Sequence, residues 1–452
     1  MTFSRRFFAA VLAVCAATTS ESLQAQNNSS HPAVAMISID GMHPDYLLQA
    51  DKYGLKIPTL RRIMAEGAHA TSVRGVLPTV TYPSHTTLLT GAWPMKHGIY
   101  NNLTFDPLQK NAGGWYWYSE DIRVPTLWEA ADRAGYTVGS VSWPVSVGAH
   151  GVRYNVPEYW RAMTPDDLKL LRMLASPGLL AELLKVAGPY TVDLNDAVPG
   201  DWGRTRFATT IIREHHATFM TLHLAALDHL EHADGPFSPE ALSTLEEIDK
   251  MVADVEKAIR TVDSKAIVCI VSDHGFARVD QEFEPGVAFV KAGLITLKSP
   301  GVADWIAAPW GDGGSAAVVL KNPGDQAARS KTRRLLETLA ADASNGIAAI
   351  LDQNEIAALG GSPSAAFWID MKPGFMTGTA VEGPQVRPSK QHGTHGYAPT
   401  HPELFTSFFI AGAGIPKGVN FGAIDMRSVA PTMAKIMGFA GWSSDLKPLP
   451  IP

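Results

Sequence analysis

An α/β fold, with a mostly parallel central sheet flanked by helices and a smaller inserted α+β subdomain, is predicted by three observations. Short, almost wholly apolar runs recur as AVAMISI, FMTLHLAAL, AIVCIVS and LFTSFFIAG, the pattern required of strands buried on both faces. Between the first three lie segments whose apolar residues repeat at 3.6-type spacing, as helices covering such a sheet do. Asp and His residues follow the first three runs and precede the fourth, which places them at the edge where open α/β sheets hold their ligands.

In chain order, Arg5 and Arg6 precede an apolar run from Phe7 to Ala17, with polar residues to Gln26. This reads as an export signal over residues 1–25, cleaved near Ala25. The run is far shorter than the ~20 residues a membrane span needs, and no later segment reaches that length without charge or proline. A lipoprotein reading through Cys15 is disfavoured by the large Val14 before it. Residues 31–276 form the first part of the core. Strand-like AVAMISI is followed by a helix over IPTLRRIMAEGA, a helix over TLWEAADRAG, and strand-like YTVGSVSW. A helix-rich stretch, TPDDLKLLRMLASPGLLAELLKVAG, comes next, and the amphipathic ALSTLEEIDKMVADVEKAIRTV leads into AIVCIVS. Residues 277–389 mix short strands (SAAVVL, AAFWIDM) with one helix (KTRRLLETLAADA) and frequent Gly and Pro, the composition of an insertion. Residues 390–452 complete the core through LFTSFFIAGAG and a closing helix over MRSVAPTMAKIMGF.

Among 452 residues, 46% are hydrophobic and 18% charged, and the net charge is −6. Such a balance supplies a large core but no basic surface, so no nucleic-acid partner is implied. Of two cysteines, Cys15 falls in the signal and Cys269 inside a strand-like run. The processed chain then forms no internal disulfide, which for an exported protein of this size points to a bacterial periplasm. Nothing in the pattern specifies a subunit number.

Three Asp and three His at strand ends are enough to hold two divalent cations. Asp228 and His232, in DHLEH, are four residues apart, a spacing that puts both on one face of a helical turn or lets them converge on a tight loop. Asp273 and His274 are adjacent ahead of Gly275, Asp40 precedes Gly41, and His395 lies in HGTHGY. The segment LPTVTYPSHTTLLTGAWPMKHGIYNN offers a nucleophile. Pro78 and Pro83 stiffen its approach, Ser84 is a good N-cap, and HTTLLT begins a helix closed by Gly91. A hydroxyl ahead of that helix lies near the positive end of its dipole. Thr79, Thr81 and Ser84 all qualify on composition.

The motifs SIDGMHPDYL, LPTVTYPSHTTLLTGAWPMKHGIYNN, ALDHLEHADGP, VSDHGF and GTHGY, in that order, resemble those of the nucleotide pyrophosphatase/phosphodiesterases of the alkaline phosphatase superfamily. The resemblance implies an alkaline phosphatase-like core and a phosphodiesterase working through a phosphothreonine. It places the nucleophile at Thr81, ahead of Tyr82–Pro83, and an oxyanion-contacting amide at Asn102. It implies two Zn²⁺, one held by Asp228, His232 and His395. The other is held by Asp40, Asp273 and His274, with the Thr81 oxygen bridging toward it. The substrate implied is a small-molecule phosphodiester or nucleotide. Monoesterases of the superfamily that use threonine carry a Lys and Arg pair, whereas the corresponding stretch here is SVSWPVSVGAHG, with Arg153 nearby.

Tyr82, Trp143 and Tyr159 are expected to form an apolar slot for a flat leaving group, and Trp160 to pack in the core. His43, His85 and His97 are expected to orient ligands, His223 to be an ordinary packed or surface histidine, and Glu231 to be solvated. The competing readings are a phosphomonoesterase of the same superfamily and a periplasmic zinc-binding protein without turnover. Binding alone requires neither Thr81 nor Asn102.

Overall fold

The computed structural model describes residues 31–451 apart from 109, 112–113, 160–166, 191–196 and 300. The segment read as an export signal, with Cys15, and Trp160 lie outside the described residues. Eight strands form the central sheet: β1 (Val34–Ile39), β2 (Ala68–His69), β3 (Val138–Val141), β4 (Tyr154–Val156), β5 (Phe219–Leu224), β6 (Ile267–Val271), β7 (Phe408–Ala411) and β8 (Val419–Asn420). Their spatial order is β8-β2-β7-β6-β1-β5-β3-β4. β7 pairs antiparallel with both its neighbours, and the remaining pairings are parallel.

Alternation along β1 explains why its run is apolar throughout. Ala35, Ile37 and Ile39 enter one core, with Ile63 of helix Pro58–Glu66, Phe207 of helix Val198–His215 and Leu245 of helix Pro239–Val262. Val34 and Met36 enter the other, with Leu88 of helix Thr81–Thr90, Leu127 of helix Leu127–Arg133 and Val429 of helix Val429–Ile436. Both faces are therefore dry, and period-two alternation is lost. Ser38 and Asp40 continue the second face, toward helix Thr81–Thr90.

Helix boundaries follow capping chemistry. Thr126 and Glu129 close a capping box ahead of Leu127–Arg133, and Ser238 caps Pro239–Val262 through the Ala241 N–H. Helix Val198–His215, unmarked by sequence periodicity, carries a buried ion pair between Asp201 and Arg204 at 2.7 Å.

A second sheet, antiparallel, has the order Ala307–Asp312, Ser315–Leu320, Ala365–Met371, Ile347–Asp352. Leu336 and Leu339 of helix Gln326–Ala341 pack on it in a core of its own. Strand Ala277–Phe283 runs on from the end of β6 and pairs with Gly374–Thr377, Val386–Pro388 and Gly393–Thr394. Among the described residues no helix is long and apolar enough to cross a membrane.

Candidate active site

Register gathers the ligand-type residues at one edge. Ile39 of β1 lies opposite Leu224 of β5, and Ser38 opposite Val271 of β6, so whatever follows these strands emerges together. Asp40 follows β1 directly, and Asp273 and His274 follow β6 after Ser272. Helix Ala226–Asp234 starts just beyond β5 and holds Asp228 and His232 one turn apart. His395 arrives on a loop anchored by Gly393–Thr394 against Arg278 and Ala277, and by the Gly314 N–H donating to the His395 carbonyl at 2.7 Å.

The six side chains converge. Asp228 Oδ1 lies 3.6 Å from His232 Nε2, 3.7 Å from His395 Nε2 and 4.0 Å from His274 Nε2. His274 Nε2 lies 3.3 Å from Asp40 Oδ1 and 3.2 Å from Asp273 Oδ2. Asp228, His232 and His395 form one group with ligand atoms inside 4.8 Å of one another, and Asp40, Asp228 and His274 form a second. Asp228 thus stands between the two groups rather than in one alone, and Asp273 joins the second through His274.

The donor set fits a metal. Asp40 Oδ1, Asp228 Oδ1 and Asp273 Oδ2 are shut off from solvent without a hydrogen-bond partner, an arrangement that in a folded protein calls for an ion or water. Burial, then the neighbouring carboxylates, push Asp40 and Asp228 well above the ordinary carboxylate range. Burial pushes Asp273 up to about 6. Burial also depresses His232 to about 4 and, together with neighbouring imidazoles, holds His274 and His395 well below the usual histidine value. The carboxyls ionise readily only if positive charge enters the cluster, while the imidazoles stay neutral with lone pairs available, the form in which histidine binds metal. His232 Nδ1 contacts the Gly393 carbonyl at 3.1 Å, which leaves Nε2 facing the cluster.

The segment expected to offer the nucleophile starts its helix earlier than the sequence predicts. Helix Thr81–Thr90 begins at Thr81 with Val80 as N-cap, and Ser84 lies buried within its first turn. Pro83 in that turn lacks an N–H that would have no intrahelical partner in any case, so it does not delay the start. Gly91 closes the helix at φ 68°, as expected. Thr81 therefore occupies the first helical position, with Oγ1 3.3 Å from His274 Nε2. The Tyr82 N–H donates to Asn102 Oδ1 at 2.8 Å, so Asn102 caps the helix from another segment and its amide orientation is set.

His85 fastens this helix to β1. Its Nδ1 meets the Thr81 carbonyl at 2.8 Å and its Nε2 the Ser38 hydroxyl at 2.8 Å. A carbonyl only accepts, so Nδ1 carries the hydrogen and the Ser38 hydroxyl donates to Nε2. Burial and the neighbouring His223 keep the ring's pKa well below the ordinary value. A cavity of about 370 Å³ opens over Thr81, Asn102 and the ligand cluster, with Tyr82 and Trp115 on its aromatic side and Glu158 and Asp312 among its walls.

A family model described as type I phosphodiesterase / nucleotide pyrophosphatase matches residues 34–398. The chain belongs to that family. Human ectonucleotide pyrophosphatase/phosphodiesterase family member 1 is 24% identical over 255 residues, covering 54% of this chain and 23% of the human protein. A bis(5′-adenosyl)-triphosphatase of Xenopus laevis is 25% identical over 289 residues, covering 62% of this chain and 54% of that protein. The chain therefore spans between about a quarter and about half the length of these curated relatives. Among solved structures, murine ectonucleotide pyrophosphatase/phosphodiesterase 5, an inactive variant in complex with AMP, superposes with a TM-score of 0.66 at 19% identity. That match covers 92% of this chain and 97% of the murine one. The human counterpart gives 0.65 at 19% identity, covering 91% and 96%. The α/β fold and the family resemblance of the five motifs are thus shown.

Within this member of the type I phosphodiesterase / nucleotide pyrophosphatase family several side chains lie elsewhere than the sequence predicts. Trp143 is 0% exposed and packs edge-on against His85 at 5.0 Å in the hydrophobic core, so it offers no face to a ligand. Tyr159 packs against Trp117 at 4.8 Å and does not line the described cavity. Trp115, stacked on Trp117 at 5.5 Å and edge-on to Tyr82 at 5.2 Å, lines the cavity instead, while Tyr82, which borders it, is 0% exposed and offers no open face either. Glu231 is not solvated. It is wholly buried and accepts from the Tyr46 hydroxyl at 2.7 Å, because the outer face of its short helix meets β1's following loop rather than water.

His97 and His43 contact Thr87 Oγ1 and the Pro402 carbonyl, not the ligand cluster. His223, expected to be unremarkable, sits between two carboxylates. A histidine in an otherwise apolar strand with both faces buried must find a partner, and that was the available signal.

Proposed function

We propose that this chain is an exported, zinc-dependent phosphodiesterase/nucleotide pyrophosphatase that hydrolyses small-molecule phosphate diesters through a phosphothreonine on Thr81. The observation that carries the proposal is the convergence of three partnerless carboxylate oxygens and three neutral imidazoles beside a hydroxyl at the first position of a helix. Asp228, His232 and His395 would hold one cation, and Asp40, Asp273 and His274 the other, with Asp228 close to both. A mixed Asp/His set suits zinc better than magnesium, which favours all-oxygen shells. When bound, two such ions lower the pKa of a coordinated hydroxyl and stabilise the entering and leaving oxygens of an in-line displacement.

The chain's own residues supply the rest. Thr81 Oγ1 gives up its proton to solvent and forms a bond to phosphorus while the bond from phosphorus to the leaving oxygen breaks, and the leaving group departs with a proton from solvent. Water then cleaves the threonine–phosphorus bond, releasing the monoester and restoring the hydroxyl. The Asn102 amide, oriented by the Tyr82 N–H, donates to a non-bridging phosphoryl oxygen, as does the Thr81 N–H at the helix start. Trp115, half-buried on the cavity wall, offers an aromatic face suited to a nucleobase, with the buried Tyr82 packed behind it. A nucleotide substrate is also supported by the AMP complex of the murine neighbour and by the name of the Xenopus relative.

Export is supported by Arg5 and Arg6 ahead of the apolar run Phe7–Ala17, and a periplasmic location by Cys269 as the lone cysteine after processing. Reading 277–389 as an inserted subdomain is supported by its separate antiparallel sheet and core.

Hydrolysis of bis(p-nitrophenyl) phosphate and p-nitrophenyl phosphate, before and after chelation and zinc repletion, tests the proposal. Diester cleavage should dominate, vanish with chelator and return with zinc. A strong preference for the monoester would favour a phosphomonoesterase, and chelator-resistant activity would rule out the metal mechanism.

A further inference from the structure

Glu158, His223 and Asp40 form a buried line across the strand ends. His223 is the register partner of Ser38, so its side chain leaves the sheet on the face shared by Ser38 and, two residues on, Asp40. His223 Nε2 lies 2.9 Å from Asp40 Oδ2. Its Nδ1 lies 2.7 Å from Glu158 Oε2 and 3.1 Å from the Ser142 carbonyl. All three side chains are buried. Each ring nitrogen faces acceptors, so both act as donors.

The consequence for Asp40 is an asymmetry between its two oxygens. Oδ2 is engaged by His223, while Oδ1 has no hydrogen-bond partner and lies 3.3 Å from His274 Nε2. Glu158 also lines the cavity over Thr81. The line therefore runs from the wall a substrate touches to a carboxylate of the ligand cluster.

We infer that His223 is a positioning residue that holds Asp40 Oδ2 so that Oδ1 faces the cation of the Asp40–Asp273–His274 group, and that Glu158 holds His223 in turn. This rests on the two-metal reading above. Partners of this kind typically change metal affinity by about 10- to 100-fold when removed. The effect should be selective, because the hydrogen bonds of His223 run to Asp40, Glu158 and the Ser142 carbonyl, whereas His232 of the other group is oriented by the Gly393 carbonyl.

The test is zinc binding to the full chain, by competition against a chromogenic chelator, with stoichiometry by elemental analysis and fold by circular dichroism. Wild-type protein should bind two zinc ions. His223→Phe, which keeps ring volume without donors, should weaken one of them about 10- to 100-fold and leave the other unchanged. Glu158→Gln, whose side-chain oxygen still accepts from Nδ1, should stay near wild type, and Glu158→Ala should show a several-fold loss at the same single site. If His223→Phe does not fold, the contrast between Glu158→Gln and Glu158→Ala decides. Folded variants that bind both ions as tightly as wild type would overturn the inference, as would equal weakening of both ions. A wild-type chain that binds no zinc would instead overturn the two-metal reading itself.

Discussion

Asn102→Ala separates transition-state stabilisation from metal binding. The Asn102 side chain has two tasks at opposite ends of one amide: Oδ1 accepts from the Tyr82 N–H at 2.8 Å, and the NH₂ group is left to face the cavity over Thr81. Loss of one preorganised donor to a developing phosphoryl charge costs ~3 kcal/mol, which at 1.36 kcal/mol per decade lowers turnover by roughly 10²- to 10³-fold. The same truncation strips a buried N–H of its acceptor, at ~1–3 kcal/mol of stability. Asn102→Asp distinguishes the two tasks, since it keeps an acceptor for Tyr82 and removes the donor. Steady-state hydrolysis of bis(p-nitrophenyl) phosphate, zinc content and urea unfolding measure all three quantities. Both variants should retain zinc and lose turnover, and the alanine variant alone should lose stability. Unchanged turnover in Asn102→Ala would refute the oxyanion role.

Three further outcomes are expected. Gly41 has φ +77°, and a Cβ there would lie 2.5 Å from Glu231 Oε2 and 2.9 Å from the Phe276 ring, so Gly41→Ala should cost ~1–3 kcal/mol in urea unfolding; a change below ~0.5 kcal/mol would contradict the packing described. Trp115→Ala should raise KM for a nucleotide diester with little loss of stability, whereas Trp143→Ala should cost ~3–5 kcal/mol in unfolding; the reverse pattern would return the stacking role to Trp143. Chelated protein should lose stability as pH rises above about 6.5, where the histidines of the unfolded chain have released their protons. Asp40, Asp228 and His223 have folded pKa values well above their ordinary ones and Asp312 is pushed up to about 7, so the folded state keeps protons the unfolded chain has released. Zinc should abolish that slope, and a flat profile for the metal-free chain would count against the buried carboxyl cluster.

Much of this was legible because it depends on residues close in sequence. β1, β5, β6 and β7 are visible as apolar runs because both faces of each are buried, and Asp40, Asp273 and His274 are visible because each directly follows such a run. Asp228 and His232 fall on one side of a helix at the spacing the sequence implies. The remainder depends on partners far along the chain. Helix Val198–His215 hides its periodicity because Asp201 and Arg204 are buried as a pair, and Asp201 also accepts from the Ala225 and Ala226 N–H groups ahead of the Asp228 helix. Glu231 looks solvated until Tyr46, 185 residues away, is seen to donate to it. His223 gains its carboxylates from segments 65 and 183 residues distant. Trp143 and Trp115 differ only in where the sheet and the loop after Asn102 put them. Asp312, from the second sheet, enters the cavity wall across the chain from every motif.

The bridge made by His85 has a mechanical meaning. Because it grips the Thr81 carbonyl with one nitrogen and Ser38 with the other, Thr81 and Asp40 share a single frame: the strand that lies between β5 and β6. Breathing at the margins of the sheet, where β4 and β8 have a neighbour on one side only, can proceed without changing the distance between Thr81 and Asp40. Insertions and swaps of loops near those margins are thereby uncoupled from the chemistry, so new leaving groups can be accommodated around an unchanged centre. Amide exchange should be slowest at Ser38 and Thr86 and fastest toward residues 154–156 and 419–420.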